Sequence, residues 1–356
     1  CGSNALDVNT TGTQNNAFGH NALGSNTTAS WNNAFGEQSL ATNTTGSDNS
    51  GFGHRTLQLN TTGSGNTAVG ANALDANTTG SNNVAVGKNS MGANTTGATN
   101  AAFGLNTLEV NTTGSNNTAI GDGALNQNTT ANLNTAVGRQ CLLYCTTGTQ
   151  NSALGANAGD SVSTGNGNTI VGYNAGQAVT TGGYNVFLGY SAASTQIDTG
   201  SNHLFIARGN AGAGNADVWI YGNSSGACYQ GNNSSTWSTT SDIRLKKNIV
   251  DNIKGLSEIN QLRVTNFEYR KEDEIDMSEF PLAENPNQVV LGKGDEGVHT
   301  GVIAQEVETI LPECIKVSDR GSKTVNTDPI MWALVNAVKE LSAENTALKS
   351  RLDAAG

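Results

Sequence analysis

The sequence has few of the residues that usually build a globular core. Aromatic residues make up 5% of the 356 positions, and 4 prolines stand against 44 glycines. With so few bulky side chains, we do not expect an ordinary large core. Interactions other than the packing of bulky side chains must order the polypeptide. The high glycine content comes with little proline and no Gly-X-Y triplet, which excludes collagen.

Long apolar runs and clusters of basic residues are also missing. No run of about 18 apolar residues occurs, so we predict no transmembrane helix and no membrane insertion, and no signal peptide is visible. The net charge of −11 argues against sequence-independent nucleic-acid binding, which needs clustered Lys and Arg. The five cysteines lack metal-site spacing, so we expect free buried thiols and neither a metal nor a cofactor. The sequence opens in mid-pattern at Cys1, which indicates a fragment of a longer chain.

Charge is unevenly placed along the chain. Residues 1–200 hold eight acids and three bases, whereas residues 241–356 hold twenty acids and fourteen bases. This change predicts a domain boundary near residue 240. We therefore expect a shaft over 1–200, an aromatic β junction or cap over 201–240, and a C-terminal domain over 241–356.

A repeat of 17 residues fills the shaft. The motif Asn-Thr-Thr-Gly or a close variant starts every 17 residues, and a second motif, Ala-[Phe/Val/Ile]-Gly, keeps the same step. This period is too short for solenoids of helix pairs. We predict about twelve coils, each of two short strands and two tight turns, with Asn-Thr-Thr-Gly forming one turn because Asn and Gly tolerate positive φ. The fold class is thus mostly β, a β-solenoid or β-roll whose Asn and Thr side chains stack in ladders. The first motif starts at Asn9, Asn26, Asn43, Asn60, Asn77, Asn94, Asn111 and Asn128.

Each predicted coil buries only a few modest side chains, which is little core for a monomer. Packing several copies around an axis would bury the remaining apolar stripes, so we expect a homotrimer. The repeat resembles the β-roll heads of trimeric adhesins and the shafts of phage tail fibres. The recurring Thr pair leaves a second interpretation open, an ice-binding β-solenoid.

Aromatic residues gather in the junction. The segment ADVWIYGNSSGACYQG has the pattern of a β-hairpin. One interpretation is a plug that covers the last coil of the solenoid. The other is an exposed surface that binds a cell-surface glycan. The residues concerned are Trp219, Tyr221, Tyr229 and Trp237.

The last segment has the spacing of a coiled coil. Pro329 follows Asp328, a good N-cap residue, and we predict a helix over about 329–355. Its apolar positions follow a heptad, in which Asn345 would cost stability but fix the register. An amphipathic surface helix is the alternative. Upstream, apolar residues between 249 and 262 also have helical spacing. The heptad positions are Leu334, Val338, Leu341, Asn345, Leu348 and Leu352.

Four separated motifs of the C-terminal domain resemble one known family. SDIRLKKNI, FEYR, GVIAQEVETILPE and AVKELSAENTALKSRL follow in order the pattern of the chaperone-of-endosialidase domain, peptidase family S74. The resemblance runs from Ser241 to about Leu352. It implies a small α+β domain at the end of a phage tail fibre or tailspike. Such a domain trimerises, guides folding of the β stalk and then cuts itself off at the serine.

The resemblance places a catalytic dyad at Ser241 and Lys246, with cleavage between Thr240 and Ser241. A serine hydroxyl needs a base, and a lysine can act as one only when neutral, a state that burial and nearby positive charge favour. Taken alone, SDIRLKK would also suit a helix start capped by Ser or Asp. The candidate supporting residues are Asp242, Arg244, His299, Gln305 and Glu306.

These features predict a trimeric fibre that attaches to a host or other surface. Its partners would be further copies of itself and a surface glycan or other receptor, and its place would be the virion, in a tail fibre or spike. A cellular surface adhesin that keeps an uncleaved trimer clamp is the alternative. The ice-binding solenoid ranks third.

Overall fold

The protein is described by a computed structural model. It describes residues 2–195, 199–209, 218–224, 228–230, 243–281, 283, 297–318 and 321–355. The chain divides into two compact units, Cys1–Ser238 and Thr239–Gly356. Each unit is described by itself.

The first unit is a β-solenoid with 17 residues per coil. Within residues 2–195 every coil contributes one strand of three residues, paired in parallel with the strands of the coils before and after it. The predicted solenoid is confirmed, but each coil has one strand rather than two, because the rest of the coil turns too tightly for a second. The parallel strands are β1 (Asn16–Phe18), β2 (Asn33–Phe35), β3 (Ser50–Phe52), β4 (Thr67–Val69), β5 (Val84–Val86), β6 (Ala101–Phe103), β7 (Thr118–Ile120), β8 (Thr135–Val137), β9 (Ser152–Leu154), β10 (Thr169–Val171), β11 (Val186–Leu188) and β12 (Leu204–Ala207).

Two buried positions per coil form most of the apolar core. The middle residue of each strand points inward, as Ala85 does, while its neighbours point outward. A second residue four positions after the strand-end glycine is also buried, usually as leucine. Leu74 and Leu108 occupy it with φ of 53° and 51°. Left-handed backbone is unfavourable for leucine, so burial against the stacked coils must offset that cost in each turn.

Each of the strands β1 to β11 is followed by a glycine that no other residue could replace without displacing the next coil. Gly19 has φ of 141°. A Cβ atom built there would lie 2.4 Å from the carbonyl oxygen of Gly36. The glycine of the Ala-[Phe/Val/Ile]-Gly motif therefore allows consecutive coils to approach at strand spacing.

The asparagine of Asn-Thr-Thr-Gly is a core residue and does not take positive φ, which corrects the predicted role of this motif. Asn77 is buried, and its Nδ2 donates to the Oδ1 of Asn60 at 2.7 Å and to the carbonyl oxygen of Gly80 at 2.9 Å. Repetition of these bonds builds a continuous amide ladder, so the expected asparagine stacking is confirmed. A second buried ladder runs through the asparagine before each strand, as at Asn83 and Asn100.

The solenoid sheet continues into antiparallel strands at its C-terminal edge. Strand β13 (Val218–Gly222) pairs antiparallel with β12, and β14 (Cys228–Gln230) pairs antiparallel with β13. The predicted hairpin is thus confirmed. It covers the backbone edge of the last parallel strand, which would otherwise be open to pairing with another chain.

The second unit is a small α+β region that ends in a long helix. Val307, Leu311 and Cys314 form its buried centre. The predicted helix over 249–262 is reduced to one turn, because residues 246–255 form neither helix nor strand. Its strands pair antiparallel, β15 with β16 and β17 with β18. The elements are α1 (Leu256–Ile259), β15 (Thr265–Phe267), β16 (His299–Gly301), α2 (Ala304–Ile310), β17 (Ile315–Val317), β18 (Lys323–Val325) and α3 (Asp328–Ala355), with 3₁₀ turns at Ile243–Leu245, Glu272–Glu274, Met277–Glu279 and Pro312–Cys314.

In the part of the chain that the structure describes, no helix is both long enough and apolar enough to cross a membrane. Nor do three His, Cys, Asp or Glu side chains of the described residues converge as metal ligands. The thiols of Cys141, Cys145 and Cys314 are free and buried as expected, whereas Cys228 is exposed. Burial raises the pKa of the Cys141 and Cys145 thiols to about 12, so both stay protonated and unreactive at neutral pH.

Candidate functional site

The predicted cleavage point borders the described part of the second unit. Thr240, Ser241 and Asp242 lie outside the described residues. Immediately after them the chain forms the 3₁₀ turn Ile243–Leu245, where the backbone N–H of Lys246 donates to the carbonyl oxygen of Ile243 at 3.2 Å. Arg244 and Lys246 are exposed in the single chain. The described residues of one chain therefore do not supply the burial that a neutral lysine base needs.

His299 lies in an aromatic cluster on the small sheet of the second unit. Strand register places it opposite Phe267, and its ring centroid lies 5.9 Å from that of Phe267 and 5.1 Å from that of Tyr269. Next to His299, the hydroxyl of Thr300 donates to the Oδ1 of Asn266 at 2.7 Å. The strand that leads into FEYR thus pairs with the strand that leads into GVIAQE. His299 therefore has a packing role in this sheet.

Glu306 is held by an ion pair with Arg263. Gln305 and Glu306 stand in the first turn of α2, and the Nε of Arg263 donates to the Oε2 of Glu306 at 3.1 Å, with a second bond from Nη2 to Oε1. The guanidinium lowers the pKa of the Glu306 carboxyl. This bidentate contact ties α2 to the segment before β15. Sequence reasoning missed Arg263, because nothing local marks a partner 43 residues away.

A second cluster ties the segment after Lys246 to the long helix. The Nδ2 of Asn336 donates to the carbonyl oxygens of Asn252 and Lys254 at 2.8 and 2.9 Å, and the backbone N–H of Leu256 donates to the Oε2 of Glu340 at 2.8 Å. The start of α3 thereby fixes the chain that leads away from the predicted dyad. These residues were also not foreseen, since they meet across more than 80 positions.

The predicted heptad face of α3 is bare in the single chain. Leu334 is 50% exposed, and exposure rises to 63% at Leu348 and 74% at Leu352. Val338, Leu341 and Asn345 are exposed as well. Five large apolar side chains along one stripe of the helix thus remain 45–74% exposed within their own unit. A helix that joins a coiled coil presents this pattern before it pairs.

Of the described aromatic side chains of the junction, one packs on the end of the solenoid core and another is exposed on the surface. Tyr221 packs with its ring centroid 4.8 Å from that of Phe205, next to the last buried layer of the solenoid, whereas Trp219 on the same strand is 59% exposed. The Tyr229 side chain and all of Trp237 lie outside the described residues. Of the four predicted receptor contacts, Tyr221 is therefore placed in the cap.

The two threonines of each coil differ in exposure. The hydroxyl of Thr78 donates to the carbonyl oxygen of Thr95 in the next coil at 3.0 Å, and the same bond recurs along the row. Thr79 and its counterparts are exposed. The shaft thus presents one free row of threonine hydroxyls on this side.

Residues 241–316 match the family model described as chaperone of endosialidase, Peptidase S74. The matched range begins at the predicted nucleophile and includes Lys246, the paired strands β15 and β16, and α2.

Proposed function

Because the second unit carries a chaperone-of-endosialidase domain behind a β-solenoid, we propose that this chain is a trimeric attachment fibre matured by self-cleavage. Its C-terminal unit would bring the chains together, guide folding of the shaft and then cut itself off. The observation that carries the proposal is the family match over residues 241–316, which starts where the solenoid unit has ended.

The proposed cut is an acyl transfer within one chain. The Oγ of Ser241 attacks the carbonyl carbon of Thr240, and Lys246 accepts the hydroxyl proton. The peptide C–N bond breaks, the proton passes to the released amine, and an ester joins Thr240 to the serine oxygen. Water then hydrolyses the ester, leaving a carboxylate on Thr240 and restoring the serine hydroxyl.

Assembly would switch this chemistry on. Lys246 is exposed in the single chain, whereas a lysine that acts as a base has to be neutral, a state that burial favours. Neighbouring chains in a trimer would provide the burial that favours its neutral form. The cut would then follow assembly, which is the order that a folding chaperone needs.

The bare heptad face of α3 supports the trimer. Its exposed leucines would be buried between three parallel helices, with Asn345 setting their register. A clamp at one end matters because coils of equal length can pair one step out of register at little cost.

The proposed attachment to a surface glycan rests on an exposed aromatic residue of the junction. Among the described side chains of the junction, Trp219 is the exposed aromatic residue. Its flat ring on a strand suits one face of a sugar in a surface glycan. Such a fibre would belong to a virion, as a tail fibre or spike. The alternative, a cellular adhesin that keeps an uncleaved clamp, shares every feature except the cut.

The test is the intact mass of freshly expressed protein under denaturing conditions. Wild type and the matched control Lys247→Ala are expected to split between Thr240 and Ser241, while Ser241→Ala and Lys246→Ala remain whole. If all four chains remain full length, self-cleavage is excluded and the permanent clamp of an adhesin becomes the better description.

A further inference from the structure

One side of the solenoid carries no charged residue along its whole length. The first and third residues of β1 to β11 point outward and together form what we call the strand face. All eleven third positions are large and apolar, and the first positions are Asn, Ser, Thr, Ala or Val. The third-position residues are Phe18, Phe35, Phe52, Val69, Val86, Phe103, Ile120, Val137, Leu154, Val171 and Leu188.

The charges of the shaft lie elsewhere on each coil. Within residues 2–195 every acid and every base lies on the turns outside the strands. A surface that served only solubility would scatter charge over all sides, so the strand face stands apart. The charged residues are Asp7, Glu37, Asp48, Arg55, Asp75, Lys88, Glu109, Asp122, Arg139 and Asp160.

The exposed area is large enough for an interface. Phe18 is 50% and Leu154 is 51% exposed. The eleven third-position side chains leave apolar area on the order of 700 Å² open, close to the ~800 Å² that each partner contributes to a standard interface. Monomeric proteins rarely leave a contiguous apolar patch of this size uncovered.

We propose that the strand face is the surface by which copies of this chain pack on one another, parallel and in register, along the shaft. The inference rests on the proposed trimer and names its contact surface there. A second copy fits because the partner must present an uncharged strip about 50 Å long with one apolar side chain every 4.8 Å or so. The chain itself presents such a strip.

Once the chains have packed, the order of side chains along the strip would help to hold the register that the C-terminal clamp sets. Phe18, Phe35 and Phe52 stack with ring centroids 5.0 and 5.1 Å apart at one end, and smaller Val69 and Val86 follow. In register, large meets large and small meets small at each level. A slip by one coil would place Phe52 against Val69, so side chains of different size would meet at that level.

Crosslinking of single cysteines tests the proposal in the full-length chain. Val69→Cys lies on the strand face, and Thr62→Cys, exposed on another side, is the matched control. Both are made with Cys1→Ser and Cys228→Ser, and both are treated with a short bismaleimide. We expect at least about tenfold more covalent dimer from Val69→Cys, because packing gives its thiols a high effective concentration.

Light scattering on the same samples separates the outcomes. Assembled chains in which Thr62→Cys links as readily as Val69→Cys would overturn the strand face as the contact surface and leave the trimer standing. Monomeric chains would overturn both the trimer and this inference. The pair Ile120→Cys and Thr113→Cys repeats the comparison at another level, so the result does not depend on one variant folding.

Discussion

At the scale of single residues, buried asparagines fill much of the interior of the solenoid. They do so in a chain that has few bulky apolar side chains with which to build a core. Each interior asparagine both donates and accepts, so a ladder of buried amides leaves no member unsatisfied until it ends. The ladder ends at Cys145, where a thiol takes the amide's place. There Asn128 Oδ1 is buried with no hydrogen-bond partner among the described residues, and Val162 and Val179 continue the position as apolar residues.

Replacing Asn94 by aspartate tests this role with almost no change in shape. The Nδ2 of Asn94 donates to the Oδ1 of Asn77 at 2.8 Å and to the carbonyl oxygen of Gly97 at 3.0 Å. A carboxylate there would face two acceptors, so we expect Asn94→Asp to lower the free energy of unfolding by about 3 kcal/mol or more at pH 8. Denaturant unfolding measures the loss.

The loss should depend on pH with a definite sign. Burial and the two facing oxygens would raise the folded pKa of the new carboxyl above its unfolded value of about 3.9. The folded state then binds more protons than the unfolded state, so the deficit shrinks as the pH falls toward 4 and grows above it. Thr96→Asp, on the exposed row of the same coil, is the control. Equal losses in both variants would show that the ladder contributes nothing special.

At the scale of the coil, the large core residue moves from the turn to the strand partway along the chain. In most coils a leucine after the turn faces an alanine in the strand eleven residues later, as Leu142 faces Ala153. Later the pattern inverts, and Gly159 faces Ile170, while Gly176 faces Phe187. Large and small residues thus exchange places while the coil keeps its volume.

A double-mutant cycle tests that exchange. A Cβ atom at Gly159 would lie 2.7 Å from the Cδ1 of Ile170, so Gly159→Leu should overpack, and Ile170→Ala should leave a cavity. The double variant restores the common pairing, so we expect a favourable coupling energy of about 2 kcal/mol from denaturant unfolding. Gly159→Leu combined with Leu57→Ala, several coils away, should be additive. If the effects of Gly159→Leu and Ile170→Ala simply add, the two positions do not compensate for each other.

The period of the coil could be predicted from the sequence, but the roles within it could not. A 17-residue step fixes the stacking, and the glycine after each strand marks where coils approach. The sequence favours a turn role for Asn77, because its partner Asn60 is adjacent only after the coils have stacked. Likewise the spacing of 249–262 favours a helix, but the carbonyl oxygens of Asn252 and Lys254, which a helix would use internally, accept hydrogen bonds from Asn336 instead. A motif predicts the dyad of Ser241 and Lys246, whereas no local signal predicts a role for Arg263.

At the scale of the whole molecule, a shaft of near-identical coils is hard to fold and hard to unfold. Contacts between coils repeat, so many registers are nearly equal in energy while the chain is loose. A trimeric clamp at the C-terminus would align the chains and so favour one register. Once the shaft had formed, the proposed clamp would no longer affect the contacts between coils, and its removal would leave a product that is stable because it unfolds slowly.

A refolding experiment tests whether the C-terminal unit is needed for the shaft to reassemble. The uncut Ser241→Ala chain and the cut shaft, freed of its C-terminal fragment, are each denatured and returned to buffer. We expect the uncut chain to recover most of its assembled form by light scattering and the cut shaft to recover far less, although both resist denaturation equally before the cycle. Ser257→Ala, a serine change elsewhere in the domain, should be cut and behave like wild type. If the cut shaft refolds as well as the uncut chain, the C-terminal unit is dispensable for assembly, and the bare leucines of α3 need another explanation.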